Sequence, residues 1–263
     1  MNLFWLYDLP NTVFAAIVIG FFVSIGLIGQ RWTRRWVKRI PGNDGRYNEL
    51  INATVATVGV FFGITLGLIS VGAWQEFTDI STNVNQEVSS INVLYRAVSL
   101  YPDPSRDLLR NGLKEYVHYA IYEEWPSQQK GIVPKGGTAK VTAFQKNLYA
   151  FEPVSESMKS VHGETIAAFN DMIRQRRSRL QSVTNGLPST LWLVVIFGSL
   201  LNLVIPWLLV YDRQFMQDLT IVLTAATIGL LVFLMAAMDY PFRGEFSVTS
   251  ESFQLIYDRM KAN

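Results

Sequence analysis

Between Glu49 and Glu76 the chain runs for 26 residues without a charge. Nothing else in the sequence constrains the fold as strongly. Roughly 20 apolar residues at 1.5 Å rise cross a bilayer core, so this stretch has spanning length. Two faces are written into it. On a 100° helical wheel Gly59, Gly63 and Gly67, with Asn52, Ala56 and Ser70, fall within about 40° of one line. The glycines form two overlapping GxxxG steps, a pattern that lets a neighbouring helix approach closely. Thr54, Thr57, Phe61 and Thr65, with Leu68 and Gly72, occupy the opposite side. A helix with something to face on both sides points to an assembly, and its hydroxyl-bearing side to a pore lining. The competing reading of the threonines is that each hydroxyl bonds its own helix.

Three further stretches have spanning length: Leu9–Gln30, the uncharged run from Leu180 to Tyr211, and Leu219–Met238. The first lacks a basic residue ahead of it and exceeds the length of a signal-peptide core, so it reads as a retained span. Tryptophans 5, 32, 36, 74, 192 and 207 fall mostly where interfacial aromatic belts lie. The fold class expected is all-α: a polytopic membrane protein with four transmembrane helices and a helical soluble insert between the second and third. The divisions are 1–75 for the first two spans and a basic loop, 76–186 for the insert, and 187–263 for the last two spans and a tail.

Positive mean hydropathy with 17% charged residues suits a membrane protein that also has a wet part. A net charge of +2 gives no footprint for nucleic acid. With no cysteine there is no disulfide framework and no thiolate metal site. The two histidines, His118 and His162, sit in no metal-binding spacing, and no Walker loop or GxSxG is present. Catalysis therefore finds no support, and no cofactor is implied. Glu123-Glu124 reads as a solvated helix end, and Gly136-Gly137 as a turn.

The connection from Arg31 to Glu49 carries Arg31, Arg34, Arg35, Lys38, Arg39 and Arg46 around a Pro41-Gly42-Asn43-Asp44-Gly45 turn. The positive-inside rule places it in the cytoplasm, which puts the insert and both termini on the extracytoplasmic side of the membrane. Arg174, Arg176, Arg177 and Arg179 lie just before the third span, on the opposing side. They read as an anchor for lipid headgroups, as a topology signal, or as an electropositive vestibule that gathers anions. No span contains an interior Asp, Glu, Lys, Arg or His, which argues against a proton-coupled pump or voltage sensor.

Within the insert the helical period of Phe77, Ile80, Val84, Val88, Ile91 and Val98 predicts that the second span continues as one helix of about 50 residues. Asp103-Pro104 predicts the start of a helix that Pro126 ends. A shorter helix is expected over Thr138–Phe151. A long one is expected from Pro153 or Ser155 to about Thr184.

The motifs Trp74-Gln75-Glu76-Phe77, Leu94-Tyr95-Arg96, Glu123-Glu124-Trp125-Pro126, Arg177-Ser178-Arg179-Leu180 and Leu191-Trp192 carry a resemblance over nearly the whole chain. The most distinctive is Asp239-Tyr240-Pro241-Phe242-Arg243-Gly244-Glu245. Together they resemble the bacterial membrane proteins labelled bestrophin-like. The resemblance implies a pentameric anion channel whose second helix lines the pore, and Phe61 and Phe62 are similar to the aromatic neck of such channels. Bestrophins keep the insert and termini cytoplasmic, the reverse of what the basic loop here predicts. Their acidic calcium clasp has no clear counterpart. The partners expected are membrane lipid, inorganic ions and copies of the same chain, in a ring of four or five. The reading from another class is a non-conducting sensor or scaffold whose insert binds a protein. Asp239, Pro241, Arg243 and Gly244 are expected to act in structure.

Overall fold

The structure, a computed structural model, describes residues 3–37, 39, 45–184, 186–209 and 213–262. Lys38, the turn at 41–44 and the Arg46 side chain lie outside the described residues. Among the described residues every regular element is helical. After a 3-10 turn, Leu3–Asp8, come α1 (Asn11–Val37) and α2 (Gly45–Val98), then α3 (Ser105–Tyr119), which passes through a π-helical turn at Ala120–Glu124 into α4 (Trp125–Gln128). There follow α5 (Gly136–Tyr149), α6 (Glu156–Ser182), α7 (Ser189–Trp207), α8 (Gln214–Asp239) and α9 (Glu251–Ala262). Four of these helices, in α1, α2, α7 and α8, are long and apolar enough to cross a membrane.

The chain forms two compact units. The first holds the apolar helices: α1, the first part of α2, α7 and α8. Its core is Phe22, Leu66, Val195, Leu203, Ala225, Ile228, Val232 and Met235. Glycine permits close crossings, among them that of α1 on α8. A Cβ on Gly229 would stand 2.8 Å from the Ile19 backbone, and one on Gly26 would stand 2.8 Å from Ile221.

The second unit contains the rest of α2, α3 to α6, and α9. Ile91, Leu94 and Val98 of α2 close on Leu109, Leu113 and Val117 of α3, on Phe144 and Leu148 of α5, and on Phe169 and Met172 of α6. Helix α2 runs unbroken for 54 residues because no Pro or Gly interrupts its apolar period after Gly72. Ser155 caps α6 by accepting from the Met158 N–H at 3.2 Å. The tail, grouped with the last two spans by sequence, packs here instead. Phe253 and Ile256 of α9 are buried in this core.

Pro126 does not end the helix that precedes it. The π turn has already broken the i→i−4 ladder, and Pro126 sits in the first turn of α4, where a missing N–H costs nothing.

Candidate functional site

Helix α2 contacts the rest of its own chain along a narrow stripe. Leu66 and Ala73 are buried, and Phe62 and Ile69 pack on the same core. Phe62 lies so close to Gly198 of α7 that a Cβ there would sit 2.3 Å from its ring. The rest of the circumference is bare. Only 6% of the apolar window of α2 is buried within the chain, against 50% for α8. Val60, Ile64, Leu68 and Val71 are exposed, and Phe61 is 69% exposed.

The two predicted faces fall on either side of that stripe. Gly63 and Gly67 meet nothing within 4 Å, and Gly59 has only Asn202 Oδ1 nearby, at 3.6 Å. The small-residue face is not consumed by packing inside the chain. On the other face the hydroxyls of Thr54, Thr57 and Thr65 donate to Leu50 O, Ala53 O and Phe61 O at 2.9, 2.9 and 2.8 Å. Their protons are therefore committed to their own helix, while the oxygen lone pairs stay available. Asn202 donates to Gly198 O of its own helix at 2.9 Å.

The Asp239-to-Glu245 motif acts as a set of clips. Asp239, at the end of α8, accepts from the Leu187 N–H and from Trp192 Nε1, tying the entry of α7 to the exit of α8. Glu245 accepts from the Asn11 N–H at 2.8 Å, placing an anion at the start of α1, where the helix dipole favours it. The Pro241 carbonyl accepts from the Val248 N–H at 2.8 Å. Arg243 donates to Lys130 O beside Gly131. Gly244 has φ of +82°, a conformation that side chains disfavour.

The arginine cluster divides. Arg174 pairs with Asp171 at the surface, and Arg177 is exposed. Arg176 and Arg179 are buried, so neither is a headgroup anchor nor part of a vestibule. Arg179 lies wholly inside the second unit. Its Nε is 2.7 Å from Glu87 Oε2, and its Nη2 is 3.1 Å from Glu87 Oε1 and 3.1 Å from Glu124 Oε2. Nη1 donates to Gln128 Oε1 at 2.9 Å. Arg176 Nη2 is 2.6 Å from Glu124 Oε1, and the Tyr116 hydroxyl donates to Glu87 at 2.6 Å.

Glu87, Arg179, Glu124 and Arg176 thus alternate in sign along one buried chain of contacts. The aromatic rings of Trp125 and Phe253 flank the Arg179 guanidinium at 5.4 and 5.3 Å. Burial alone would pull that guanidinium down. Glu87, with Tyr116 and Glu124, more than offsets it and holds Arg179 above its ordinary range. Burial, then the charge of Glu87, pushes Tyr116 well up, so it stays a neutral donor.

Glu124 is therefore not the solvated helix end that its sequence context suggests. The π turn rotates it inward while Glu123 stays outside. Gly136-Gly137 is more than a turn: a Cβ on Gly137 would stand 1.8 Å from Glu124 Oε1. Sequence reasoning missed Glu87 entirely, although it lies on the same helical line as Val84 and Ile91. His162 bonds the Tyr101 hydroxyl at 2.7 Å, and His118 stacks against Tyr122 and Tyr257. Among the described residues no group of three His, Cys, Asp or Glu side chains could hold a metal ion.

Comparison with known proteins fits this architecture. A crystal structure of a bacterial bestrophin homologue from Klebsiella pneumoniae, obtained by Zn-SAD phasing, superposes with a TM-score of 0.64 at 12% identity, covering 95% of this chain and 97% of that one. A point variant of the Klebsiella homologue, with threonine in place of an isoleucine, gives 0.66 at 12% identity over 95% and 99%. A membrane protein with alanine in place of a glycine gives 0.68 at 12% identity over 94% and 97%. At such identity the likeness speaks for the fold alone. None of the curated proteins compared is similar enough to count as a relative. The bestrophin-like domain matches residues 15–253, nearly the whole chain, and the chain belongs to the bestrophin-like family.

Proposed function

We propose that copies of this chain close into a ring around an axis lined by α2 and that the ring passes small anions through a bacterial inner membrane. The family consists of channels rather than enzymes. The observation that carries the reading is the bareness of α2, a spanning helix with 6% of its apolar window buried within its own chain. A ring gives such a helix partners on both flanks and an axis in front.

The stripe of Phe62, Leu66, Ile69 and Ala73 faces the protomer. At 100° per residue, the opposite line passes within about 30° of Val60, Ile64, Val71 and Thr57. Phe61 lies about 70° off that line, and Thr54 and Thr65 about 90–110° off. Of the four pore-lining candidates Thr57 is therefore nearest the axis. Phe61 reaches toward it with a long side chain, and Thr54 and Thr65 belong to the flank. Apolar rings at Val60 and Ile64 form a constriction that gates by dewetting, and hydroxyl oxygens replace part of an ion's hydration shell.

Gly63 lies on the other flank, where a neighbouring copy packs. The division into spans 1–75, insert 76–186 and spans from 187 follows the same reading, with the tail assigned to the insert's unit rather than to the spans. The basic residues between the first two apolar helices support an insert outside the cytoplasm.

The test uses single-Cys variants, since the chain has no cysteine of its own. Purified protein in planar bilayers under asymmetric KCl is expected to conduct with an anion-selective reversal potential. Cysteines at Thr57 and Ile64 should then be blocked by small water-soluble thiol reagents, while one at Leu66 should be inert. A cysteine at Ser127 should react with impermeant maleimide in intact cells. Absence of conductance, or conductance with positions 57 and 64 both inert, refutes the reading of α2. Reaction at 127 only after lysis reverses the orientation.

A further inference from the structure

We propose that the exposed face at the C-terminal end of α1 holds the headgroup of an anionic phospholipid. Arg31, Trp32, Arg35 and Trp36 are all exposed, the two tryptophans at 77% and 70%. On a 100° wheel these four fall within an arc of about 140°. Arg39, also exposed, follows in the turn whose N–H reaches Trp36 O at 3.0 Å. Gly26, Gly29, Gln30 and Val37 are buried on the far side, where Gly29 lies against the Trp207 ring. The proposal rests on α1 crossing the membrane and is independent of conduction and of orientation.

The charge at this end is a surplus. Among the described residues none of the guanidinium groups of Arg31, Arg34, Arg35, Arg39 and Arg213 forms an ion pair. Antiparallel packing sets Ile19 of α1 against Gly229 of α8 and Gly26 against Ile221, so Arg213 stands about level with Arg34 and Arg35. The described carboxylates of these segments are Glu49 and Asp218, and neither pairs with an arginine there. Over residues 31–49 and 212–218 the sequence holds seven basic residues against four acidic ones, a larger surplus than the +2 of the whole chain. A second copy inserted in the same sense carries the same surplus at the same depth, so it cannot neutralise the face. An anionic headgroup can.

From the charges back toward its start, the same side of α1 is apolar. Val13, Ile17, Phe21 and Ile28 are exposed, and on the wheel they lie within the arc that Arg31 and Trp36 bound. Acyl chains lying along that strip bring the phosphate to the height of the arginines. Indole rings favour the level between chains and headgroups, where an apolar body and a wet N–H are both satisfied. Phe215 and Met216, exposed at the start of α8, continue this belt at about the level of Trp32. Arg31 and Arg35 stand one turn apart on one side, and guanidinium forks match phosphate oxygens better than point charges do.

Native mass spectrometry of the full chain released from uncharged detergent tests the site, with dioleoyl phosphatidylglycerol and dioleoyl phosphatidylcholine as probes. Phosphatidylglycerol should bind roughly tenfold or more tighter, since each basic residue at an anionic lipid surface contributes about a fivefold factor. Arg31→Gln combined with Arg35→Gln and Arg39→Gln should remove most of that preference. All three side chains are exposed, so the triple variant is expected to keep the native melting profile and elution volume. Arg174→Gln combined with Arg177→Gln, at exposed arginines of the second unit, should leave the preference unchanged. Equal binding of the two lipids by the wild-type chain overturns the proposal and needs no variant to fold. So does an undiminished preference in a triple variant that melts normally, or an equal loss in the control at positions 174 and 177. A triple variant that melts normally but changes the elution volume overturns it in favour of a contact between copies.

Discussion

Arg179→Met tests what holds the second unit together. Methionine is close to the aliphatic part of arginine in volume, so the change removes the guanidinium with little added cavity. It removes the paired contacts to Glu87 at 2.7 and 3.1 Å, the contact to Glu124 at 3.1 Å, and the donor to Gln128 at 2.9 Å. Glu124 keeps Arg176, but Glu87 keeps only the Tyr116 hydroxyl. Breaking one side of a buried ion pair costs about 3–5 kcal/mol, because the remaining charge stays out of water. At about 2–4 °C per kcal/mol for a domain of this size, melting should fall by roughly 6–20 °C.

The assay is thermal unfolding of purified protein followed by tryptophan emission, in which Trp125 reports directly from beside Arg179. Arg177→Met, at an exposed site, is the control and should stay within about 0.5 kcal/mol of wild type. Adding Glu87→Leu to Arg179→Met removes the stranded carboxylate and should recover part of the loss, a coupling of about 0.5–3 kcal/mol. If Arg179→Met melts within a degree or two of wild type, the network does not support the unit and the reasoning fails.

Two other outcomes follow from the structure. Gly63→Leu meets open space inside the protomer, so the chain should fold and bind detergent as before yet elute from size-exclusion chromatography as a smaller species. An unchanged elution volume would remove Gly63 from any subunit contact. Burial lowers the pKa of His162 from its ordinary value of 6.5, so the folded state binds its proton less readily than the unfolded state. The stability that this gives is present above pH 6.5 and is lost as pH falls below it. His162→Gln should flatten that part of the melting-temperature profile, and an identical profile would show that the shift has no thermodynamic weight.

The long elements were legible because their signals are local. Uncharged runs of spanning length marked α1, α2, α7 and α8, and an unbroken apolar period carried α2 to Val98. What escaped was the sidedness of charge. Arg176 and Arg179 were read as surface because four arginines in six residues look solvated. Yet Thr165, Phe169, Met172, Arg176, Arg179 and Val183 follow one helical line, and Glu87 follows the line of Val84 and Ile91. Two apolar lines interrupted by opposite charges were the available sign of a buried pair. Helix α9 had an equally local signal in Phe253, Ile256, Tyr257 and Met260. The π turn had none, since it exists to rotate Glu124 toward partners contributed by distant helices. The two faces of α2 could be drawn from sequence but not assigned, because nothing within the protomer covers them.

The two units satisfy their polar groups in different ways, and the difference separates folding from assembly. In the spans the hydroxyls of Thr54, Thr57, Thr65, Thr220, Thr224 and Thr227 each bond a carbonyl four residues back. These hydroxyls therefore need no partner on another helix, and along the apolar lengths the lateral contacts rest on shape, with the Asp239–Trp192 bond at the end of α8 as the polar exception. The second unit instead closes four charges into a neutral interior that tolerates neither loss nor excess. A substitution at Glu87, Glu124, Arg176 or Arg179 thus acts first on whether the protomer folds. A substitution on the open arc of α2, from Gly63 round to Phe61, acts first on what stands beside the protomer. A chain built this way can vary its α2 surface without putting its own stability at risk.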